Sequence, residues 1–381
     1  MITLSNLKTI PILTPMQIAG RQAQMPRRAA AKPEHKNILP PGRIIASRFQ
    51  IIDAIVTMSM SNIYLAFDLV RQRDVVLKTV ELNNMGMDFN KYFEAETDTL
   101  GNLPRPADGE PGYFPELYDH GTFELTRKIA GTEAYETVPL GYMAMEEIKG
   151  LTLGALIYNR EERIPLWQAI EITMSVLKGL DILHEQGLVD RDVKPGNVMI
   201  ENVTGRTRLI DLGTVCPEGY RDPKGLTLGT PAYIAPEQAA GLPAQRSTDI
   251  YAVGLMLFEM IARYNPMRNG TPQQNIENQI IRPMDPLPEQ EITGRFSPEV
   301  SGHLSELIST AHRQLALLVE VMTQKNPAHR PTTAMLLGLL ENALANARAL
   351  EPYESLIKID PVKFSPRNPD KILDQTRALK M

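Results

Sequence analysis

Eight consecutive residues, Asp190-Arg191-Asp192-Val193-Lys194-Pro195-Gly196-Asn197, bring carboxylates, cations and an amide into one short stretch. A further carboxylate, Asp211 in Asp211-Leu212-Gly213, follows fourteen residues after Asn197. Phosphoryl transfer calls for these residue types. It needs a carboxylate to orient and deprotonate the attacking hydroxyl, a divalent metal to neutralise polyphosphate, and a cation near the group in transit. Asp192 suits the first task, the Asn197/Asp211 pair the second and Lys194 the third. Hard oxygen ligands of this kind suit Mg²⁺. The plainer alternative is an acidic turn beside a hairpin.

These residues need elements to hold them. The runs Val198-Met199-Ile200 and Leu209-Ile210 predict a hairpin that sets Asn197 and Asp211 at neighbouring ends. Upstream, short β-type runs are expected at Phe49–Ile52, Ile63–Phe67 and Val75–Val80, then a helix over Tyr92–Leu103. Further strands near Phe114–Phe123 and Leu140–Met145 would complete a sheet of about five. Glu124–Val138, polar and Gly-containing, reads as a loop. After Gly150 the pattern is helical, with Ile170, Met174, Leu177 and Leu180 on one stripe and Gly187 as the stop. Leu188-Val189 reads as a short strand. More helices are expected near Pro236–Ala240, Thr248–Arg263, Ser301–Gln324 and Thr332–Leu350, and 265–300, rich in Pro and Asn, as irregular chain. Strands first and helices after give an α+β chain, a small β-rich lobe before a larger helical one. A cleft between such lobes is a common place for a ligand.

Lys78 follows three apolar residues, Val75-Val76-Leu77, on one of these strands. A lysine there is rarely buried without a partner. Glu96 is the favoured partner because Leu100 and Leu103 follow it at helical spacing; Glu94 is the competitor.

The 381 residues suffice for two lobes with a sizeable core, and a net charge of −5 suggests neither nucleic-acid nor membrane binding. The single Cys216 rules out an internal disulfide and fits a reducing, cytoplasmic setting. No apolar run is long enough to span a bilayer; Tyr251–Ala262 reads as a buried core helix. Residues 1–40 carry six basic residues against Glu34, a net +5, so the remainder carries −10. That arm reads as a disordered, solvated tail rather than a docking segment.

The catalytic-loop octapeptide resembles that of the protein kinase superfamily, H-R-D-x-K-x-x-N, and Asp211-Leu212-Gly213 resembles its metal motif D-F-G. Gly229-Thr230-Pro231-Ala232-Tyr233-Ile234-Ala235-Pro236-Glu237 is similar to the end of a kinase activation segment. Lysine two residues beyond the catalytic aspartate is the Ser/Thr version of the loop, and the Gly229–Gln238 form is closest to bacterial members.

The resemblance covers about 43–349. It implies a bilobal fold, with an N-lobe over 41–148, a C-lobe over 149–350 and a tail over 351–381. It implies ATP and Mg²⁺ (or Mn²⁺) as cofactors, Asp192 and Lys194 as catalytic residues, and Asn197 and Asp211 as metal ligands. Lys78, paired with Glu96, would bind the α- and β-phosphates. Met145 would be the gatekeeper, Glu146 and Ile148 would offer backbone groups to adenine, and Met199 would form the floor of its pocket. Ile55, Val56 and Ile63 would line the nucleotide from the phosphate-loop side, and Val76 would stand over the adenine. Glu237 would pair with Arg330, and Asp249 would hold the catalytic loop from below; these and Arg191 are scaffold. Thr230 would line the substrate channel. Thr227 is the candidate for autophosphorylation, with Arg191 receiving the phosphate, or is simply a loop residue.

Two departures stand out. The usual phosphate loop has glycines that let backbone N–H groups approach the nucleotide; here Val56, Met58 and Ser61 occupy their places, with Ser59 and Ser61 as small polar residues near the phosphates. Asp190 replaces the usual histidine, where a carboxylate is unfavourable unless hydrogen-bonded or protonated. The expected function is an ATP-dependent Ser/Thr protein kinase. The alternative is a pseudokinase, a binding module with little turnover, and a small-molecule kinase of the same fold is a further competitor. Substrate protein and oligomeric state are not readable.

Overall fold

The computed structural model describes residues 39–57, 61–84, 87–104, 112–129, 132–159, 163–222, 228–296 and 302–354. The basic arm before Leu39, the tail after Glu354, and Met58, Ser59 and Thr227 therefore lie outside the described residues. The chain divides into two compact units. One comprises the described residues up to Asn102 together with Pro115–Ile148, and the other Leu103–Phe114 together with the described residues from Lys149.

The first unit is a sheet with one helix. Strands β1 (Ile44–Ile45), β2 (Phe49–Thr57), β3 (Ser61–Asp68) and β4 (Arg73–Glu81) precede a short pair, β5 (Asn83–Asn84) and β6 (Met87–Asp88). Helix α1 (Asn90–Asn102), β7 (Leu117–Lys128) and β8 (Tyr135–Met145) follow. The sheet is antiparallel, ordered β1-β2-β3-β4-β8-β7, so the five expected strands are joined by the two-residue β1 at one edge. Successive strand residues face opposite ways. Across β3, β4 and β8, Ile63, Lys78 and Met143 are register partners, as are Leu65, Val76 and Met145. Helix α1 packs through Phe93, and Gly141 makes room for it: a Cβ there would come 2.9 Å from the Phe93 ring.

Glu124–Val138 is not a loop. Most of it belongs to the β7–β8 hairpin, paired from Leu117↔Met145 to Lys128↔Tyr135. Its polar residues are cross-strand partners. Arg127 Nε donates to Glu136 at 2.7 Å and Thr126 meets Thr137 at 3.0 Å, while Leu125 is turned inward and buried. Polar composition hid a period of two.

The second unit is helical: α2 (Leu153–Asn159), α3 (Leu166–Glu185), α4 (Pro236–Ala239), α5 (Arg246–Ala262), α6 (Pro272–Ile281), α7 (Gln290–Thr293), α8 (Gly302–Met322) and α9 (Thr333–Glu354). Short strands β9 (Gly150–Thr152), β10 (Leu188–Val189), β11 (Val198–Glu201), β12 (Thr207–Leu209) and β13 (Cys216–Pro217) lie between them. The α+β reading therefore holds. Helix α5 is buried all round from Thr248 to Ala262, as a core helix should be. The expectation that 265–300 is irregular is corrected by α6 and α7. Thr271 and Gln274 cap α6 reciprocally at 3.2 and 2.8 Å, with Pro272 at its first position. Its inward residues are the polar Asn275 and Gln279, both fully buried, so no apolar stripe betrayed it. No helix among the described residues is long and apolar enough to cross a membrane.

Candidate active site

In the helical unit the hairpin expected from sequence forms, with Val198 opposite Leu209, and Ile210 N–H donates to the Asn197 carbonyl at 3.0 Å. This ties the chain next to Asp211 to Asn197. Lys194 Nζ donates to Asp192 Oδ2 at 2.5 Å and to Thr230 Oγ1 at 2.7 Å, and Thr230 donates to Asp192 Oδ1 at 2.7 Å. Asn197 Nδ2 donates to the Asp192 carbonyl at 3.0 Å, and its amide oxygen remains as an acceptor. Asp192, Lys194, Asn197 and Thr230 thus form one hydrogen-bonded cluster. Burial works against the Lys194 ammonium, but Asp192 and Asp211 more than offset it and hold its pKa above the ordinary lysine value. Met199 is half-buried on β11, register partner of Thr152.

The backbone of this loop is held by Asp249. Its Oδ2 accepts from Asp190 N–H at 3.0 Å and its Oδ1 from Arg191 N–H at 2.9 Å. Arg191 has a left-handed φ of 70°. Such a conformation costs roughly 1–3 kcal/mol and persists only where contacts over-determine it. Here Arg191 Nε also donates to Thr214 O at 2.7 Å, and Gln238 Nε2 donates to Arg191 O at 2.9 Å. Gly229 must be glycine: its φ is 117° and a Cβ would lie 2.8 Å from that same carbonyl.

Asp190 is buried, and its carboxylate accepts from Asp192 N–H at 2.9 Å. Burial first, then the charge of Asp249, pushes its pKa well above the usual aspartate value. It is both hydrogen-bonded and poised to be protonated. Below the loop, Glu237 and Arg330 pair bidentately at 2.7 and 2.8 Å with side chains almost fully buried.

Sequence reasoning missed several participants. His184 Nε2 lies 2.8 Å from Asp249 Oδ2 and is buried at the end of α3; as one of several polar residues on that helix it gave no signal. Thr214 and Gln238 clamp Arg191 by contacts that no spacing rule anticipates. Tyr233 donates to Glu259 Oε2, and Arg268 Nη2 donates to the Tyr233 hydroxyl at 3.2 Å. Burial pushes the Glu259 carboxyl up to about 7, against the opposing pull of Arg268.

In the β-rich unit Lys78 Nζ lies 2.6 and 2.8 Å from the two Glu96 oxygens, both residues being buried. Glu94 instead accepts from Asn90 at 2.6 Å on the exposed side of α1. Val56 and Ile63 are register partners at the open end of the β2–β3 pair, Val56 exposed and Ile63 half-buried. Ile55 packs against the cluster of Ile52, Leu65, Phe67 and Leu69. Glu146 N–H donates to Glu116 O at 2.9 Å, which fixes the chain after β8, and Ile148 is buried.

A strand-borne lysine–glutamate pair in one unit and, in the other, an acidic loop locked to Thr230 above a buried Glu–Arg brace are the features expected of a protein kinase domain. The protein kinase domain family matches residues 122–339, more than half of the chain, and the chain belongs to that family. The match begins inside β7, so Lys78, Glu96 and the strands around them lie before it. Among relatives, the chain is 31% identical over 241 residues to the serine/threonine-protein kinase PksC of Streptomyces coelicolor, covering 61% of this chain and 40% of that one. It is 26% identical over 344 residues to the probable serine/threonine-protein kinase PknB of Corynebacterium glutamicum, covering 86% and 48%. It is 27% identical over 311 residues to the serine/threonine-protein kinase PknA of Mycobacterium tuberculosis, covering 81% and 63%. The chain spans about half the length of the relatives it matches.

Proposed function

We propose that this chain is an ATP-dependent protein serine/threonine kinase in which Asp192 orients the acceptor hydroxyl and receives its proton. The observation that carries this reading is the closed set of contacts among Asp192, Lys194, Asn197 and Thr230. Lys194 and Thr230 each bind a different oxygen of Asp192, which fixes the carboxylate plane before substrate arrives. Preorganisation of this kind is where a kinase gains most, because the transition state is loose and needs positioning and charge more than covalent help. The hydroxyl oxygen forms its bond to the γ-phosphorus as the bond to the bridging β–γ oxygen breaks; ADP leaves, and the hydroxyl proton passes to Asp192. Lys194, kept cationic by its two aspartate neighbours, balances charge on the transferring group. Lys78, aligned by Glu96, holds the α- and β-phosphates.

Asn197 and Asp211 offer an amide oxygen and a carboxylate, a hard donor set that suits Mg²⁺ shared with substrate phosphates better than an all-protein cage. Among the described residues no group of three or more His, Cys, Asp or Glu side chains could hold a metal by itself, which fits such sharing. Bound there, the ion would neutralise charge on the polyphosphate.

The test is transfer of labelled phosphate from ATP with Mg²⁺ to a generic basic protein and to the chain itself. We expect label on serine and threonine, and a loss of about 10²-fold or more in Asp192→Asn. No transfer by the parent, or equal transfer by the variant, would overturn the reading.

A further inference from the structure

A surface helix normally turns an apolar stripe inward. Helix α6 instead turns in Asn275 and Gln279, both 0% exposed, and Asn265 is buried in the chain between α5 and α6. Burying a side-chain amide is unfavourable unless its polar atoms are hydrogen-bonded. Gln279 Oε1 accepts from the Tyr251 hydroxyl at 2.7 Å. The Lys325 ammonium, which can only donate, reaches that hydroxyl at 3.2 Å and Gln279 O at 2.7 Å. The hydroxyl oxygen is thus the acceptor for Lys325, and its proton goes to Gln279. The Gln279 amide nitrogen is left turned to the Pro231 carbonyl, 3.3 Å away. At Asn265 a backbone donor sets the orientation in the same way. Met267 N–H donates to Asn265 Oδ1 at 2.8 Å, and Asn265 Nδ2 donates to the Ala232 carbonyl at 3.1 Å.

Two consecutive carbonyls, those of Pro231 and Ala232, are therefore each held by an amide that is itself oriented by a donor on its oxygen. The residue on either side is held as well. Tyr233 donates to Glu259 and receives Arg268 on its hydroxyl. The Thr230 hydroxyl is bound to Asp192 and Lys194, and its carbonyl accepts from Tyr233 N–H at 2.8 Å and Ile234 N–H at 3.2 Å. The stretch from Thr230 to Tyr233 is thus tied to the catalytic cluster at one end and to α5 and the chain after it at the other. It adjoins Asp192, where the acceptor hydroxyl must arrive. We propose that Asn265 and Gln279 are positioning residues for the protein acceptor. They hold the Pro231–Ala232 backbone as a preset surface on which the chain bearing the acceptor hydroxyl docks. The proposal rests on the kinase reading above. Neither amide touches the reacting atoms; each acts through the segment it holds. A preset surface lowers the ordering cost of docking, so its loss falls on the acceptor and not on ATP.

Steady-state kinetics of the full chain test this, with Mg-ATP and the generic basic protein each varied in turn. Gln279→Glu keeps the acceptor for Tyr251 but lacks the donor to Pro231. Gln279→Met, of similar volume, lacks both, and Asn265→Ala releases the Ala232 carbonyl. Thermal unfolding identifies which variants fold as the parent does. Each that folds should raise the KM for the acceptor protein about fivefold or more, as the loss of one hydrogen bond can, with the KM for ATP within about twofold of the parent. An unchanged acceptor KM in a folded variant overturns the assignment for that residue. A parallel rise in both KM values would mean a general loss of structure and equally overturns it. So does a fall in kcat with both KM values unchanged, which would place the amides with the catalytic loop. If the parent transfers no label, the kinase reading fails and takes this proposal with it. Transfer by the parent with unaltered variants fails this proposal alone.

Discussion

Replacing Glu259 by glutamine should make the protein's stability markedly less dependent on pH. The carboxyl is wholly buried on α5, its Oε2 accepts from Tyr233, and its Oε1 has no hydrogen-bond partner among the described residues. Among the described residues Arg268 is the charged group set against it, and burial prevails, raising the pKa from 4.5 to about 7. A carboxyl raised in this way binds its proton more tightly in the folded state. The stability it contributes is complete below the unfolded value and is lost as pH climbs through the folded one. A midpoint moved from 4.5 to about 7 is worth about 3 kcal/mol across that window, at about 1.4 kcal/mol per pH unit. Glutamine keeps the size and the acceptor for Tyr233 but has no proton to lose. Urea denaturation followed by circular dichroism between pH 4.5 and 8 should therefore show Glu259→Gln gaining on the parent steadily up to about pH 7 and then levelling. Contributions common to both proteins cancel in the difference. If the two stability curves run parallel across the window, the burial argument for Glu259 is wrong.

Breaking the brace between Glu237 and Arg330 gives a second test. The two side chains are 2% and 0% exposed, so Glu237→Gln or Arg330→Met alone leaves a buried charge unpaired and should cost about 3–5 kcal/mol. The double variant should cost less than the sum of the singles in a denaturation cycle; strict additivity would mean that the pair is not coupled. At Asp190, the asparagine variant retains an acceptor for Asp192 N–H and removes a carboxyl whose pKa is raised by burial and by Asp249. The sign matches that at Glu259, so Asp190→Asn should gain on the parent by about 1.4 kcal/mol per pH unit from pH 3.8 upward until Asp190 ionises. Thermal shifts across that range that do not diverge would refute it.

The legible parts of the site were those fixed by chain-local constraint. Asp192, Lys194 and Asn197 lie within six residues, and the hairpin that joins Asn197 to Asp211 announces itself by two short apolar runs. Lys78 was legible because an ammonium on an apolar strand requires a counter-charge, and helical spacing favoured Glu96 over Glu94 for that partner. What escaped notice depends on tertiary approach. The β7–β8 hairpin is written in polar cross-strand pairs such as Arg127–Glu136, whose meaning exists only once the strands align. Helix α6 buries Asn275 and Gln279, the latter because it binds Tyr251 OH at 2.7 Å, a contact made 28 residues away.

The same distinction explains how Asp190 can stand where the family has histidine. Sequence alone sets two carboxylates against each other, Asp190 and Asp249, and predicts strain. The fold distributes donors unequally between them. Asp249 accepts from two backbone donors, the N–H groups of Asp190 and Arg191, and its Oδ2 also lies 2.8 Å from His184 Nε2. Asp190 has one backbone donor on its carboxylate, from Asp192, and is fully enclosed. Burial and the charge of Asp249 therefore favour the protonated form of Asp190, a hydrogen-bonded group of modest size beneath this loop. In that form it imposes no second charge next to Asp192. The substitution is accommodated by contacts that left no mark in the sequence pattern, the Asp192 N–H on the Asp190 carboxylate and the two backbone donors that occupy Asp249.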